Sequence, residues 1–503
     1  MRIVLSRQTL VESRAFLVGL TTVVYAISVL ISEKISIGGG FGFDGLLYGE
    51  WARTFPAPLL DGSMNQYYVQ RIGPSALAHA SLRLLRLDLT PENIIRAFEG
   101  LAIGLVCAAA WIWTALARRL HLTTAARWFG AVALLGSHAA LKWTAYYPVL
   151  TDLWSVVVAL LQLLFFLDRR LILLALATFA GAFIWPTTVL IGIVLIVFLP
   201  LRSGGLQAHT PPIGRLRFVL AGLAAVTWTL VCVSTIASGY AVPNSAAPLC
   251  RPLLRVSMVA SAAFAFGAAS ILVDDRTLFD RRLIARYVLR PNLLVGALTI
   301  VAAKVIQARL APVPSPHALS EFLGWTVRTS LQKPAVFLVA HVMFFGPVLL
   351  LIVMRARAVM NLARRWGPGL VCVASLGSLL FLGSESRHLW NVEVMFVPFA
   401  IKLLDDLAWT PRQFLALGAW TLVFSKVWLT YEDPIWPDVL ELPAQLFFMT
   451  DGPWMNFTMY ALQAAAVAGL GLWLARQLAP AHRLDPAAPP FSLAASPDRV
   501  RMP

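Results

Sequence analysis

Few residues in this chain have the types and spacing to do chemistry, and they fall in four places. Asp44 stands in Phe43-Asp44-Gly45, soon after the first long apolar run. A carboxylate held at an interface can take a proton from a hydroxyl as a general base. Asp-Gly is also a common turn pair, which explains the residue without chemistry. Asp152 closes the short stretch Tyr146-Tyr147-Pro148-Val149-Leu150-Thr151-Asp152. Thr151 or Asp152 can N-cap the next helix. Alternatively Asp152 faces a polar cavity, because a carboxylate beside lipid is costly. The third place is Glu385-Ser386-Arg387-His388, between two apolar runs. A planar guanidinium suits a phosphate or pyrophosphate bidentately. The bland alternative is an internal Glu385–Arg387 pair, or an arginine reaching lipid headgroups. Glu393 follows within the next apolar run and is costly there unless a polar cavity receives it. The fourth place, 431–456, holds Glu432, Asp433, Asp438, Glu441 and Asp451 among prolines and tryptophans. It reads as an acidic solvated loop with Trp anchors.

The elements that must position these residues are set by lipid. Of 503 residues, 59% are hydrophobic and 13% charged, whereas a soluble domain carries about 25% charged residues. Mean hydropathy is +0.74. This excludes a soluble enzyme, a disordered scaffold and a disulfide-stapled secreted domain. The net charge of +16 therefore reads as topology signal, not as a nucleic-acid footprint. No nucleic-acid partner is expected. The four cysteines show no CxxC or Cys/His metal spacing. The Gly38–Gly40 run lacks the GxxxxGK[ST] of a phosphate-binding loop.

A spanning helix needs roughly 20 apolar residues. About fourteen such runs can be placed, near 15–32, 94–117, 125–143, 153–167, 171–185, 186–200, 218–238, 253–273, 291–311, 335–354, 367–384, 390–407, 412–430 and 455–476. The run 171–199 is split into a tight hairpin at Trp185-Pro186, because proline disfavours helix at the residue before it. That split also keeps Arg202, Arg215 and Arg217 on the same side as Arg118, Arg119, Arg169 and Arg170, as the positive-inside rule asks. Both termini are then cytoplasmic, and the loops at Asp44, Asp152, Arg387 and Asp438 lie outside. Gly73–Leu89 carries His79, Arg83 and Arg86 and reads as a helix lying in the outer interface. The predicted organisation is one all-α polytopic domain over 1–476, with a long first outer loop at 33–93. A disordered cytoplasmic tail is expected over 477–503. Basic residues are nearly all arginine, which points to a GC-rich genome and a bacterial inner membrane.

The order of these features resembles the N-terminal half of GT-C type membrane glycosyltransferases, including polyprenyl-phosphate-sugar mannosyltransferases and aminoarabinose transferases. The features are a first helix, then a long outer loop with the early Asp44, aromatics, Arg71 and Pro74. A second helix opens with Arg96, and a short outer turn ends in Pro148 and Thr151-Asp152. The resemblance covers about residues 15–200, with Ser386-Arg387 familiar beyond it. It implies a GT-C-like fold and transfer of a sugar from a polyprenyl-phosphate donor to a glycan, lipid or protein acceptor on the outer face, with inversion. It puts the catalytic base on Asp44 and substrate or metal binding on Asp152. The lipid phosphate goes to Arg387, with His388 or Arg71 offsetting charge. Tyr48 and Glu385 complete the expected substrate-binding set. A divalent cation, Mg or Mn, would rest on Asp44 and Asp152. Many relatives pair two acids in the first loop, whereas Asp44 is followed by Gly45.

Three other classes compete, one of them a non-catalytic membrane assembly protein, in which substitution of Asp44 would change no sugar product. A transporter or lipid flippase would place ionisable residues near the midplane, often in paired repeats. Glu99, Lys304 and Lys426 are the candidates, but no repeat is visible. An O-antigen polymerase or ligase usually carries its largest loop late, whereas this chain's largest is first.

Overall fold

The computed structural model describes residues 12–200, 214–238, 247–273, 284–285, 291–315, 319–430 and 448–479. The expected tail from residue 480 on and most of the acidic loop, with Glu432, Asp433, Asp438 and Glu441, lie outside them, while Gln477 and Leu478 still belong to the last helix. Among the described residues the fold is all helix. The nearest thing to a strand is a bridge between Asn65 and Val313.

In chain order the helices are α1 (Arg14–Ile31), α2 (Phe43–Thr54), α3 (Ile72–Leu84), α4 (Pro91–Arg119) and α5 (Thr124–Leu135). Then come α6 (Asp152–Leu167), α7 (Leu171–Gly181), α8 (Pro186–Val197), α9 (Arg215–Ala237), α10 (Ala247–Leu272) and α11 (Pro291–Leu310). They are followed by α12 (Leu319–Leu331), α13 (Val336–Phe345), α14 (Pro347–Met354), α15 (Ala356–Arg364) and α16 (Pro368–Leu382). The last three are α17 (Trp390–Asp406), α18 (Pro411–Ser425) and α19 (Phe457–Leu478).

Among the described residues six helices are long and apolar enough to cross a membrane: Arg14–Ile31, Pro91–Arg119, Arg215–Ala237, Pro252–Leu272, Pro291–Leu310 and Phe457–Leu478. Their side chains point the same way. Leu223, Leu230 and Leu298 stand 57–63% exposed, as continuous faces that water would not tolerate but lipid would. The chain is a membrane-embedded helical protein. The other apolar runs fold as shorter, broken pieces. The run 335–354 divides into α13 and α14 at Gly346, whose φ of +87 suits glycine, and Pro347 starts the second piece. The run 125–143 divides where Ser137 caps a π-helical segment, His138–Trp143.

The hairpin at Trp185-Pro186 is present. α7 and α8 run antiparallel, with the Thr188 hydroxyl donating to the Gly181 carbonyl at 2.7 Å. Gln162 of α6 reaches both arms, donating to Thr178 Oγ1 at 3.2 Å and to the Thr188 carbonyl at 2.9 Å. Each arm rises only about 17 Å, short of a hydrocarbon core of about 30 Å. α3 is likewise too short to cross, as the interfacial reading requires.

Two cores hold the site. One lies within the bundle, where α4, α5, α6, α17 and α18 pack together. The other is built from the segment 33–93, expected to be the first outer loop, with Tyr48, Trp51, Val69 and Ile72 against Phe98, Tyr146, Tyr147 and Phe448. Thr90 fixes the end of that loop by accepting from the Asn93 backbone as the N-cap of α4, with Pro91 at the first helical position.

Candidate active site

The loop that delivers Asp44 is a helix start. Gly42, at φ +70, lets the chain turn sharply into α2, and Asp44 lies in the first turn, where an acid suits the helix dipole. Tyr147 pins this turn: the Gly45 N–H donates to its hydroxyl at 3.0 Å. A Cβ on Gly42 would sit 2.4 Å from the Tyr147 ring. The second outer turn and the first outer loop therefore fold as one unit.

Arg387 joins the two ends of the chain. It follows a loop fastened on three sides. The Ser386 N–H donates to Asp451 at 3.2 Å, the Ser386 hydroxyl pairs with His341 at 2.9 Å, and the Gly452 N–H donates to the Ser384 carbonyl at 2.9 Å. From there the guanidinium forks. Its Nη1 donates to Asp44 Oδ2 at 2.6 Å, and its Nε donates to Glu385 Oε1 at 2.6 Å. Glu385 Oε2 accepts from the Trp325 indole at 3.1 Å. Burial disfavours the charge on Arg387, but Glu385, Asp44 and Asp152 outweigh it and hold the group firmly charged. Burial likewise pushes Glu385 up, yet His388 and Arg387 bring its carboxyl down to about 2. Asp44, with 39% of its side chain open, is held below the usual carboxylate range because Arg387 overrides the effect of burial.

Arg71 enters from the other side. Its Nη1 donates to the Tyr48 hydroxyl at 2.9 Å, and its guanidinium lies 4.4 Å from the Trp185 ring and 4.8 Å from the Tyr67 ring. Trp185 is the tip of the α7–α8 hairpin, so the proline break also supplies a wall of the site. His388 stands against Trp185 and Phe322. Burial takes its pKa down to about 4, with Glu385 pulling the other way.

Asp152 is the oddity. It is 1% exposed, and both carboxylate oxygens lack a hydrogen-bond partner, as does the Thr151 hydroxyl beside it. Thr151 makes no side-chain capping bond at the start of α6. The capping explanation therefore fails. The carboxyl lies in the field of Arg387, Arg71 and Asp44, bare in a place where a polar group normally demands a partner.

All seven residues singled out from the sequence, Asp44, Tyr48, Arg71, Asp152, Glu385, Arg387 and His388, thus meet around Arg387. Two were missed. Asp451, assigned to the solvated loop, is buried at 3% exposure, and Trp325 holds Glu385. Glu393, by contrast, lines a separate apolar cavity of about 250 Å³ among α10 and α14–α17. A divalent cation does not fit the residues as they stand. Arg387 already occupies Asp44, two guanidiniums bring the positive charge, and no three His, Cys, Asp or Glu among the described residues gather to hold an ion.

Against family models, curated proteins and solved structures, the chain has no match.

Proposed function

We propose that this protein is an inverting membrane glycosyltransferase that moves a sugar from a polyprenyl-phosphate donor to an acceptor on the outer face of a bacterial inner membrane. One observation carries the reading: Arg387 is shared by Asp44 and Glu385 beside Arg71 and the bare Asp152. A fixed guanidinium next to a carboxylate is what transfer from a lipid phosphate needs. The phosphate is already a fair leaving group, so the protein has only to offset the charge growing on it and to accept one proton.

The resting geometry fits a switch of partners. A phosphate arriving at Arg387 competes with Asp44 for Nη1. Once released from the guanidinium, Asp44 becomes more basic and free to take the proton of an acceptor hydroxyl. Glu385 keeps Arg387 aimed through Nε meanwhile. The hydroxyl oxygen attacks the anomeric carbon, the lipid phosphate leaves with the bonding pair, and the single displacement inverts the centre.

The test is transfer or hydrolysis of a labelled panel of polyprenyl-phosphate sugars by the purified, reconstituted protein. Asp44→Asn should lower turnover about 10²–10⁴-fold, the usual worth of general-base help, at equal protein level. No turnover of any donor, or full turnover in Asp44→Asn, rejects the reading. A transporter would instead show uptake or flipping without cleavage of the sugar–phosphate bond. Beside Glu99, Lys304 and Lys426, the buried Glu393 in its apolar cavity is an ionisable residue that such a rival would use.

A further inference from the structure

The first outer loop holds a second cavity away from Arg387, a cleft of about 440 Å³ between α2 and the segment 57–68. One wall is a single face of α2. Leu47, Glu50, Trp51 and Thr54 line it at the i, i+3, i+4, i+7 spacing of one helical stripe. Asp44 lies one turn earlier on that stripe, so the cleft begins where the proposed base ends. From Asp44 to Trp51 is about 10 Å along the helix axis.

The lining is mixed in a specific way. Trp51 is nine-tenths buried and forms an aromatic corner with Tyr68, their ring centroids 5.2 Å apart. Tyr48, the partner of Arg71, lies 5.5 Å from Trp51, so an aromatic run connects the cleft to the site. Two carboxylates line the cleft, Glu50 from the helix and Asp61 from the facing turn. Among the described residues Glu50 pairs with Arg53, at 2.6 Å, and both side chains are about half exposed, an exchangeable surface contact. Asn65 spends its carbonyl on the backbone N–H groups of Tyr67 and Tyr68. The far wall is braced from outside the loop: the Gln66 N–H donates to the Val313 carbonyl at 3.0 Å. Aromatic faces for apolar C–H surfaces and carboxylates for hydroxyls, in a preformed cleft, are what a polar small molecule with one flat apolar face requires.

We infer that this cleft binds the acceptor, and that the acceptor is a saccharide: its terminal hydroxyl reaches Asp44, and the sugar unit behind it lies against Trp51 and Tyr68 with hydroxyls on Glu50 and Asp61. The inference rests on the transferase reading for its direction, but saccharide binding can be measured without any donor. A peptide acceptor would use backbone pairing or charged pockets, and a lipid acceptor would need the cleft to open along an apolar groove. The two acids and the aromatic corner favour neither.

The experiment uses full-length protein in nanodiscs and a panel of labelled di- to pentasaccharides built from neutral hexoses, pentoses and N-acetylhexosamines. At least one should bind saturably. Glu50→Gln/Asp61→Asn, two exposed positions that tolerate change, should weaken binding about tenfold or more, as loss of charge-assisted hydrogen bonds implies. Tyr68→Leu should do the same, whereas Tyr68→Phe should keep most of the affinity. Arg96→Ala, an exposed charge that pairs with Glu92 and lies outside the cleft, should bind the saccharide as wild type does. Absence of binding across the panel, binding indifferent to the Glu50/Asp61 pair, or selective retention of peptides would each overturn the inference. Saccharide binding without cleavage of any lipid-linked donor would leave the cleft standing and remove the transferase reading. Donor hydrolysis without saccharide binding would do the reverse.

Discussion

Arg387 and Asp44 lie 343 residues apart in the chain and 2.6 Å apart in space. That contact is the joint between the first outer loop and the C-terminal half, and Glu385 shares the same guanidinium at 2.6 Å. Removing Arg387 alone leaves Glu385 buried and without its cation. Arg387→Ala should therefore cost about 3–5 kcal/mol of stability, the range for breaking a buried pair. Adding Glu385→Gln should recover a large part of it, because no uncompensated carboxylate remains. Thermal unfolding of the single and double variants in the same detergent checks this. A double variant less stable than Arg387→Ala would contradict it.

Asp152 predicts the opposite sign. Its bare oxygens make the site less stable than it could be, as functional sites often are. Asp152→Leu keeps the branched outline, with two methyls in place of two oxygens, and removes the unpaired carboxyl, so its melting temperature should rise while donor turnover is lost. Turnover at the wild-type rate, or a clear fall in melting temperature with retained turnover, would show that Asp152 is only structural.

Two carboxylates set the pH dependence of stability, with opposite signs. Glu385 drops from its ordinary 4.5 to about 2, because His388 and Arg387 outweigh burial. Its contribution is complete above pH 4.5 and is lost as pH falls through about 2. Asp451 rises from 3.8 to about 7, through burial first and the neighbouring Glu385 second. Its contribution is complete below 3.8 and is lost as pH rises through about 7. The protein should lose stability on going from pH 6 to 8, and Asp451→Asn should flatten that slope. Infrared difference spectra offer a direct check: part of the protonated-carboxyl absorbance present at pH 6 should fade through about pH 7, and that part should be missing in Asp451→Asn.

Gly42 carries the steric prediction. At φ +70, with Tyr147 against it, Gly42→Ala must displace the ring that accepts from Gly45 and so tilt Asp44 off Arg387. Turnover should fall at least about 10²-fold, the size of effect an ångström of misplacement produces. Gly39→Ala, also at positive φ but in open space, is the control and should cost far less. Equal losses at the two glycines would mean that backbone strain, not Tyr147, is responsible.

The cluster around Arg387 was legible in the sequence because lipid makes charged residues rare. Asp44, Asp152 and Arg387 stood out against apolar runs, and each lies at the end of a helix that ends in the same layer. The hairpin was legible from one proline. The lengths were not. Gly346-Pro347 and Ser137 break runs that hydropathy reads as continuous, and whether a break leaves a full crossing depends on packing between distant helices. Asp451 was hidden for a similar reason. Its burial comes from Ser386, 65 residues away, and nothing in a loop of acids, prolines and tryptophans distinguishes the one that folds inward.

The two guanidiniums at the site are held by different forces. Arg387 is neutralised by carboxylates, and an incoming anion must first dislodge one. Arg71 is held by the faces of Trp185 and Tyr67 and by a phenol, with no ion pair to a carboxylate among the described residues. Aromatic rings cradle a cation without cancelling it. The molecule at rest therefore keeps one uncancelled positive charge beside one that is fully spoken for. An anion such as a phosphodiester would be drawn in by the first before it had to compete for the second, which would separate capture from commitment in time.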